Sequence, residues 1–187
     1  MNSLNFFEIG ILDWIAENCR CGFLDAVLPV ITKFADKGIG WIILALVLIC
    51  FKKTRKAGFM MGAALVFGLV IGNGILKNVI ARIRPYDVNP FAVVLVPRLT
   101  DYSFPSGHTL ASFEAAGVLM MTHRKTLGYP ALVLAIIIAL SRLYIYVHYP
   151  TDVVAGVILG LLFAYLGYLL VNFIYKKLDE RKSLKIN

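Results

Sequence analysis

Residues Val153–Tyr175 read VVAGVILGLLFAYLGYLLVNFIY, 23 positions without a Lys, Arg, Asp or Glu. A helix needs about 20 apolar residues to cross roughly 30 Å of hydrocarbon, so this stretch predicts a membrane span. Ala57–Leu76 is a second charge-free run that meets the length outright. Gly38–Phe51 and Thr126–Ser141 are shorter, and Thr109–Thr122 is interrupted only by Glu114. These three reach span length by borrowing flanks. Lys37 and Lys52 can lift their ammonium groups to the headgroups, and the Thr109 run extends back through Ser106 to a helix start. Five spans are therefore expected. Phe23–Phe34 and the alternating face of Phe6–Ile15 leave room for a sixth, or for helices lying at the interface. Asp25, Pro29 and Lys33 weaken the first of these as a crossing; Glu8, Asp13 and Glu17 weaken the second.

Composition points the same way. Apolar residues make up 59% of the chain before its 15 glycines are counted, and 16% is charged. A soluble domain has about 45–50% apolar residues with glycine included and about 25% charged. Too little polar surface remains to dissolve the outside in water, and disorder, collagen and a disulfide-dense secreted fold are excluded. The net charge of +8 would suit nucleic acid, but the basic residues cluster between apolar runs, a pattern of membrane topology. Cys19, Cys21 and Cys50 are odd in number and show no metal-ligand spacing.

Charge distribution sets the direction. Lys52, Lys53, Arg55 and Lys56 fill one connection, His123, Arg124 and Lys125 another, and a basic tail begins at Lys176. The three lie an even number of crossings apart and so share one face, which the positive-inside rule makes cytoplasmic. The remaining connections, Asn78–Pro105 and Arg142–Asp152, share the opposite face and hold nearly all the unusual polar chemistry. The pairs Gly58/Gly62, Gly68/Gly72 and Gly156/Gly160 suit close helix packing, expected within one subunit rather than at a dimer face.

Three polar constellations fall on that opposite face. The first is KNVIARIRP, Lys77–Pro85. On a continuing helix Lys77 and Arg84 lie broadly along one side, while Pro85 biases Arg84 toward an extended conformation. Two cations at fixed separation suit a phosphoryl group; alone, they also read as headgroup anchors. The second is YSFPSGHT, Tyr102–Thr109, where Ser103 is a candidate cap and the amides of Ser106, Gly107 and His108 open a helix. Such amides bind anions, and the alternative is a capped helix with an interfacial histidine. The third is SRLYIYVHYPTD, Ser141–Asp152. His148 and Asp152 are four apart, so the carboxylate can hold one ring nitrogen protonated and leave the other as nucleophile or base. Alternatively Asp152 serves the helix dipole and His148 joins an aromatic belt of tyrosines. Together, three cations, a donor nest and two of the chain's three histidines amount to an anion site able to do chemistry.

In order and spacing these motifs closely resemble the signature of the phosphatidic-acid-phosphatase type 2 superfamily of membrane lipid phosphatases. Lys77 precedes Arg84–Pro85 by six intervening residues; Pro105–Ser106–Gly107–His108 follows; Ser141–Arg142 leads to His148 and then Asp152. The resemblance covers about Phe23 to Tyr175. It implies a single all-helical, polytopic domain over residues 1–187, a six-helix transmembrane bundle with the motifs meeting at its non-cytoplasmic end. The first span would lie within residues 1–36, and 176–187 would be a cytoplasmic tail. It also implies His148 as nucleophile, Asp152 as its orienting partner, and His108 as general acid and then base. Lys77, Arg84, Ser106, Gly107 and Arg142 would bind phosphate, with no metal and no cofactor. Glu114, six residues beyond His108, lies outside the signature; a structural role and a substrate-channel role are both open.

A site at headgroup level suits a lipid arriving by lateral diffusion. Candidates are undecaprenyl diphosphate, expected first, then phosphatidylglycerol phosphate and phosphatidic acid. The setting implied is a bacterial cytoplasmic membrane, with the bilayer as surroundings, no nucleic acid and no obligate protein partner. A phosphotransferase using the same phosphohistidine and a non-enzymatic anion transporter are the competing classes.

Overall fold

Every residue from Thr109 to Leu119 is buried, and the helix that contains them is the axis of the fold. In the computed structural model, which describes residues 3–184, the α-helices are α1 (Ser3–Asn18), α2 (Gly22–Lys33), α3 (Ile39–Cys50), α4 (Arg55–Phe67), α5 (Lys77–Ile80), α6 (Pro85–Val88), α7 (Gly107–Thr122), α8 (Tyr129–Tyr144) and α9 (Pro150–Ser183). Wider π-helical turns at Gly68–Leu76 join α4 to α5, and a π-helical turn at Arg124–Gly128 leads into α8. Among the described residues there is no strand. The architecture is all-helical, as expected.

Central α7 packs against α9, α8 and α4. Small residues let it do so. A Cβ on Gly117 would meet that of Ala164 at 2.7 Å, and one on Gly160 would meet the Leu110 carbonyl at 2.8 Å. Gly58 sits equally close to the Ala45 carbonyl on α3. Most of the paired glycines thus serve packing within the chain; Gly62 has nothing within 4 Å and borders a cavity instead. Outward, α9 shows Val154, Ile158, Leu161, Tyr165, Leu169 and Phe173, a face that calls for hydrocarbon rather than water.

Three stretches are long and apolar enough to cross a membrane: Arg55–Val88, Arg124–Tyr144 and Pro150–Lys182. Two of the three expected spans that borrow flanks, those of α3 and α7, are not among them. With 12 and 16 residues, α3 and α7 rise about 18 and 24 Å. α7 is enclosed by its neighbours, so its sequence need not satisfy lipid.

Neither helix within residues 3–36 is among the stretches long and apolar enough to cross a membrane. Both ends of α2 are held by the last turn of α8: the Tyr144 hydroxyl donates to Asp25 Oδ1 (2.7 Å), and Arg142 Nη1 donates to Thr32 Oγ1 (2.8 Å). Along α1, Glu8 Oε1 accepts from the Thr151 amide at 2.7 Å, and Asp13 Oδ1 accepts from the Tyr146 hydroxyl at 2.6 Å. The acidic residues that weaken these segments as spans tie them to the connections at one end of the bundle. At the other end Lys56 lies over the Tyr175 ring, 5.3 Å from its centre. That contact brings the first basic connection and the basic tail together, as the parity of crossings requires; Lys185 lies outside the described residues.

Candidate active site

The first motif reaches the site by a route the helical reading does not give. The chain leaves the helix at Ala81, whose φ of 46° is left-handed, and Arg84 is extended (φ −73°, ψ 151°). Lys77 and Arg84 therefore do not share a continuing helix face. They converge nonetheless on one carboxylate. Lys77 Nζ donates to Asp101 Oδ2 at 2.5 Å, Arg84 Nη2 to Asp101 Oδ1 at 2.7 Å, and Arg84 Nε to the Asp101 carbonyl at 2.8 Å. Partial burial opposes ionisation of Asp101, but the two cations hold its carboxyl down at about 2. Asp101 thus occupies the cation cradle as an anion, and its chemistry stands in for a phosphoryl group's oxygens.

In the second motif the N-cap of α7 is Ser106 rather than Ser103. The Ser106 amide donates to the Asp152 carbonyl at 3.1 Å, and its hydroxyl lies 2.9 Å from Thr109 Oγ1. Gly107 lets α7 begin beside the end of the preceding span: a Cβ there would meet Asn73 Oδ1 at 3.0 Å. Ser103 is fully buried and donates to the Asp152 carboxylate. Its hydroxyl is used on a side chain, not on a helix end.

In the third motif the position of Asp152 is compatible with both of its readings. At the start of α9 its Oδ2 accepts from the Tyr149 amide at 2.9 Å, capping the helix, and lies 3.5 Å from His148 Nδ1. Oδ1 pairs with Arg82 Nη1 at 2.6 Å, while the Arg82 guanidinium stacks on Tyr149, 3.8 Å from the ring centre. A carboxylate facing Nδ1 favours the proton there, which leaves the Nε2 lone pair free. Nε2 is 3.4 Å from Arg84 Nη1, and that same nitrogen donates to the Val147 carbonyl at 2.8 Å. Burial lowers the His148 pKa to about 3; Asp152 opposes this, and Arg84 and Arg142 add to it. The ring is neutral at neutral pH. Arg142, also buried, leaves its Nε without a partner among the described residues.

Lys77, Arg84, Gly107, His108 and His148 all border one cavity of about 840 Å³. Ser106, Arg142 and Asp152 stand behind that wall: Asp152 reaches it through His148, Ser106 precedes the lining Gly107, and Arg142 donates away from it to Thr32. The cavity runs down along α4 as far as Gly62 between Ile42, Leu46, Leu65 and Leu69. Glu114 lies on its wall, 1% exposed, with Oε1 lacking a hydrogen-bond partner among the described residues. A Cβ on Gly68 would collide with that oxygen, so the glycine leaves room for the carboxyl. The carboxyl thus lines the cavity, and no hydrogen bond to that oxygen from another buried polar group is present among the described residues.

Sequence reasoning misses four polar participants. Asp101 carries a weak signal, a lone acid in the connection between two basic motifs. Arg82 stands between two site cations but outside the signature. Ser103 is noticed for the wrong bond. Asp36, whose Oδ1 lies 2.6 Å from His108 Nε2 across 72 residues, has no signal in local spacing.

The chain is similar to known proteins over most of its length. The PAP2 superfamily pattern matches residues 54–176. A Sulfolobus acidocaldarius protein named undecaprenyl-diphosphatase is 35% identical over 82% of this chain and 73% of its own length. Undecaprenyl-diphosphatase BcrC of Bacillus subtilis is 32% identical over 78% of this chain and 74% of its own. Among solved structures, a transmembrane PAP2-type phosphatidylglycerolphosphate phosphatase from Bacillus subtilis superposes with a TM-score of 0.72 at 27% identity, covering 95% of this chain and 88% of that one.

Proposed function

The chain belongs to the PAP2 superfamily of membrane phosphatases, and from that premise we propose that it hydrolyses a polyprenyl diphosphate, undecaprenyl diphosphate in preference, through a phosphohistidine on His148. The observation that carries this reading is the meeting of Lys77 and Arg84 on a single anion beside the free Nε2 of a neutral imidazole. At the mouth of a long, mostly apolar cavity, that arrangement suits a phosphoryl group attached to a hydrocarbon tail.

Nε2 attacks the terminal phosphorus, forming a P–N bond as the bond to the departing lipid phosphate breaks. Asp152 stabilises the positive charge that develops on the ring. Lys77 and Arg84, with the Gly107 amide, meet the charge on the nonbridging oxygens, and Arg142 and Ser106 back them from behind the cavity wall; their value lies in being fixed before the charge develops. His108 donates its proton to the leaving oxygen. It then takes a proton from the water that attacks the phosphohistidine, and the P–N electrons return to Nε2 as inorganic phosphate forms. Asp101 must give way before phosphate can enter the cradle.

The site is taken to face away from the cytoplasm, on the charge asymmetry of the connections. Labelling of a cysteine placed in Val88–Val96 from outside intact cells tests this; labelling only after permeabilisation refutes it. Phosphatidylglycerol phosphate is the second reading, favoured by the breadth of the structural match. Purified protein offered both lipids and phosphatidic acid in one detergent should release phosphate fastest from the diphosphate. A higher kcat/KM on phosphatidylglycerol phosphate would transfer the assignment to that lipid.

A further inference from the structure

The connection between α2 and α3 carries a carboxylate that none of the three motifs accounts for. Ala35, 1% exposed, anchors the turn, and the chain then passes through two successive left-handed residues, Lys37 (φ 50°) and Gly38 (φ 72°). A non-glycine residue held there is strained, and such strain concentrates at functional sites. The result is that Gly38 packs onto α7, where a Cβ would stand 3.8 Å from that of Ala111, and Asp36 comes to His108 in the first turn of the same helix. Asp36 and His108 both border the cavity.

We propose that Asp36 is the positioning partner of His108, fixing the second imidazole so that Nδ1 faces the leaving group. This rests on the phosphohistidine reading and goes beyond it, because it assigns the acid's own support. With Oδ1 2.6 Å from Nε2, the carboxylate accepts the Nε2 proton. Only Nδ1 is then left to donate to the departing oxygen and to accept from water afterwards. Charge argues the same need. Burial, then Arg142 from α8 and Lys77 from α5, all disfavour a protonated ring. Arg84, His148 and Asp101 face the same cavity, Asp101 with its charge already committed to Lys77 and Arg84. Asp152 is engaged with Arg82 and His148. Asp36 is the carboxylate in direct contact with His108 that favours the acid form.

The test is single-turnover formation of the phosphohistidine by full-length protein in detergent, comparing D36N and D36E with the unsubstituted chain. Two phosphate esters are used, one with an alkyl and one with a p-nitrophenyl leaving group. An alkoxide needs its proton; p-nitrophenolate does not. D36N should slow phosphorylation from the alkyl ester by about 10–100-fold and from the aryl ester by less than about threefold. It should also move the basic limb of the rate profile down by about one pH unit, and D36E should recover part of both effects. Equal slowing on both esters, or an unmoved basic limb, overturns the proposal. Failure of the unsubstituted chain to form a phosphohistidine from either ester removes the underlying reading and the proposal with it. A phosphohistidine that forms as fast in D36N as in the unsubstituted chain overturns the proposal alone.

Discussion

The two histidine–aspartate pairs differ in nearly every respect except chemistry. His148 and Asp152 are both buried and come from one turn of sequence at the start of a helix, 3.5 Å apart. His108 and Asp36 are 72 residues apart and closer, at 2.6 Å, with the aspartate side chain 56% exposed. Under the proposed reaction a nucleophile needs a fixed lone pair, which a fully buried pair would supply, whereas an acid–base group must recharge from water on every turnover, and Asp36 sits where water reaches.

Removing each ring should separate those tasks most sharply. H148A is expected to abolish phosphate release, a loss of about 10⁴-fold or more. H108A should leave a measurable residue after a loss of about 10³-fold. Equal activities in the two variants, followed by phosphate release from the diphosphate lipid, would erase the distinction between nucleophile and acid.

The carboxylates should divide on stability. D152N leaves Arg82 facing an amide in a buried network and should destabilise the fold by about 3–5 kcal/mol, read as a fall in the thermal midpoint in detergent. D36N breaks an exposed contact and should change stability by less than about 1 kcal/mol. A midpoint for D36N as low as that of D152N would place both pairs in the fold rather than dividing them.

Protons give the next contrast. His148 takes up a proton near 6.5 when unfolded but only at about 3 when folded. Between those values the unfolded chain binds more protons, so stability falls as pH is lowered through that window. H148A should flatten this dependence, seen by thermal denaturation from pH 7 to pH 4; a slope unchanged by the substitution would locate it in other groups.

How much of this was legible from sequence follows from the same contrast. Asp152 announces itself because two of its partners, His148 and Tyr149, are within four residues, and Lys77 and His108 because they close and open expected spans. The π-helical turns at Gly68–Leu76 and the left-handed break at Ala81 are not legible, because nothing in the local sequence distinguishes them from a continuing helix. The N-terminal helices were half legible. Glu8 and Asp13 spoke against a crossing, but their partners Thr151 and Tyr146 lie too far along the chain to be found by spacing. Asp36 was hidden for that reason too.

The smallest effect expected concerns the cradle. D101N replaces the resident anion with a neutral amide while keeping its shape. Inorganic phosphate should then inhibit more strongly, by about 5–10-fold, because less of the protein is held in the self-occupied form. An unchanged inhibition constant would mean that Asp101 stands clear of the cradle in solution.

Asp152 ends up with no idle oxygen: its carboxylate is committed to an amide, a guanidinium, a hydroxyl and an imidazole. Any change there alters architecture and reactivity together, so an inactive form meant to trap a bound lipid for crystallography should be made at the ring instead. A His148 variant is expected to silence the proposed reaction while the bonds of Asp152 to Tyr149, Arg82 and Ser103 remain.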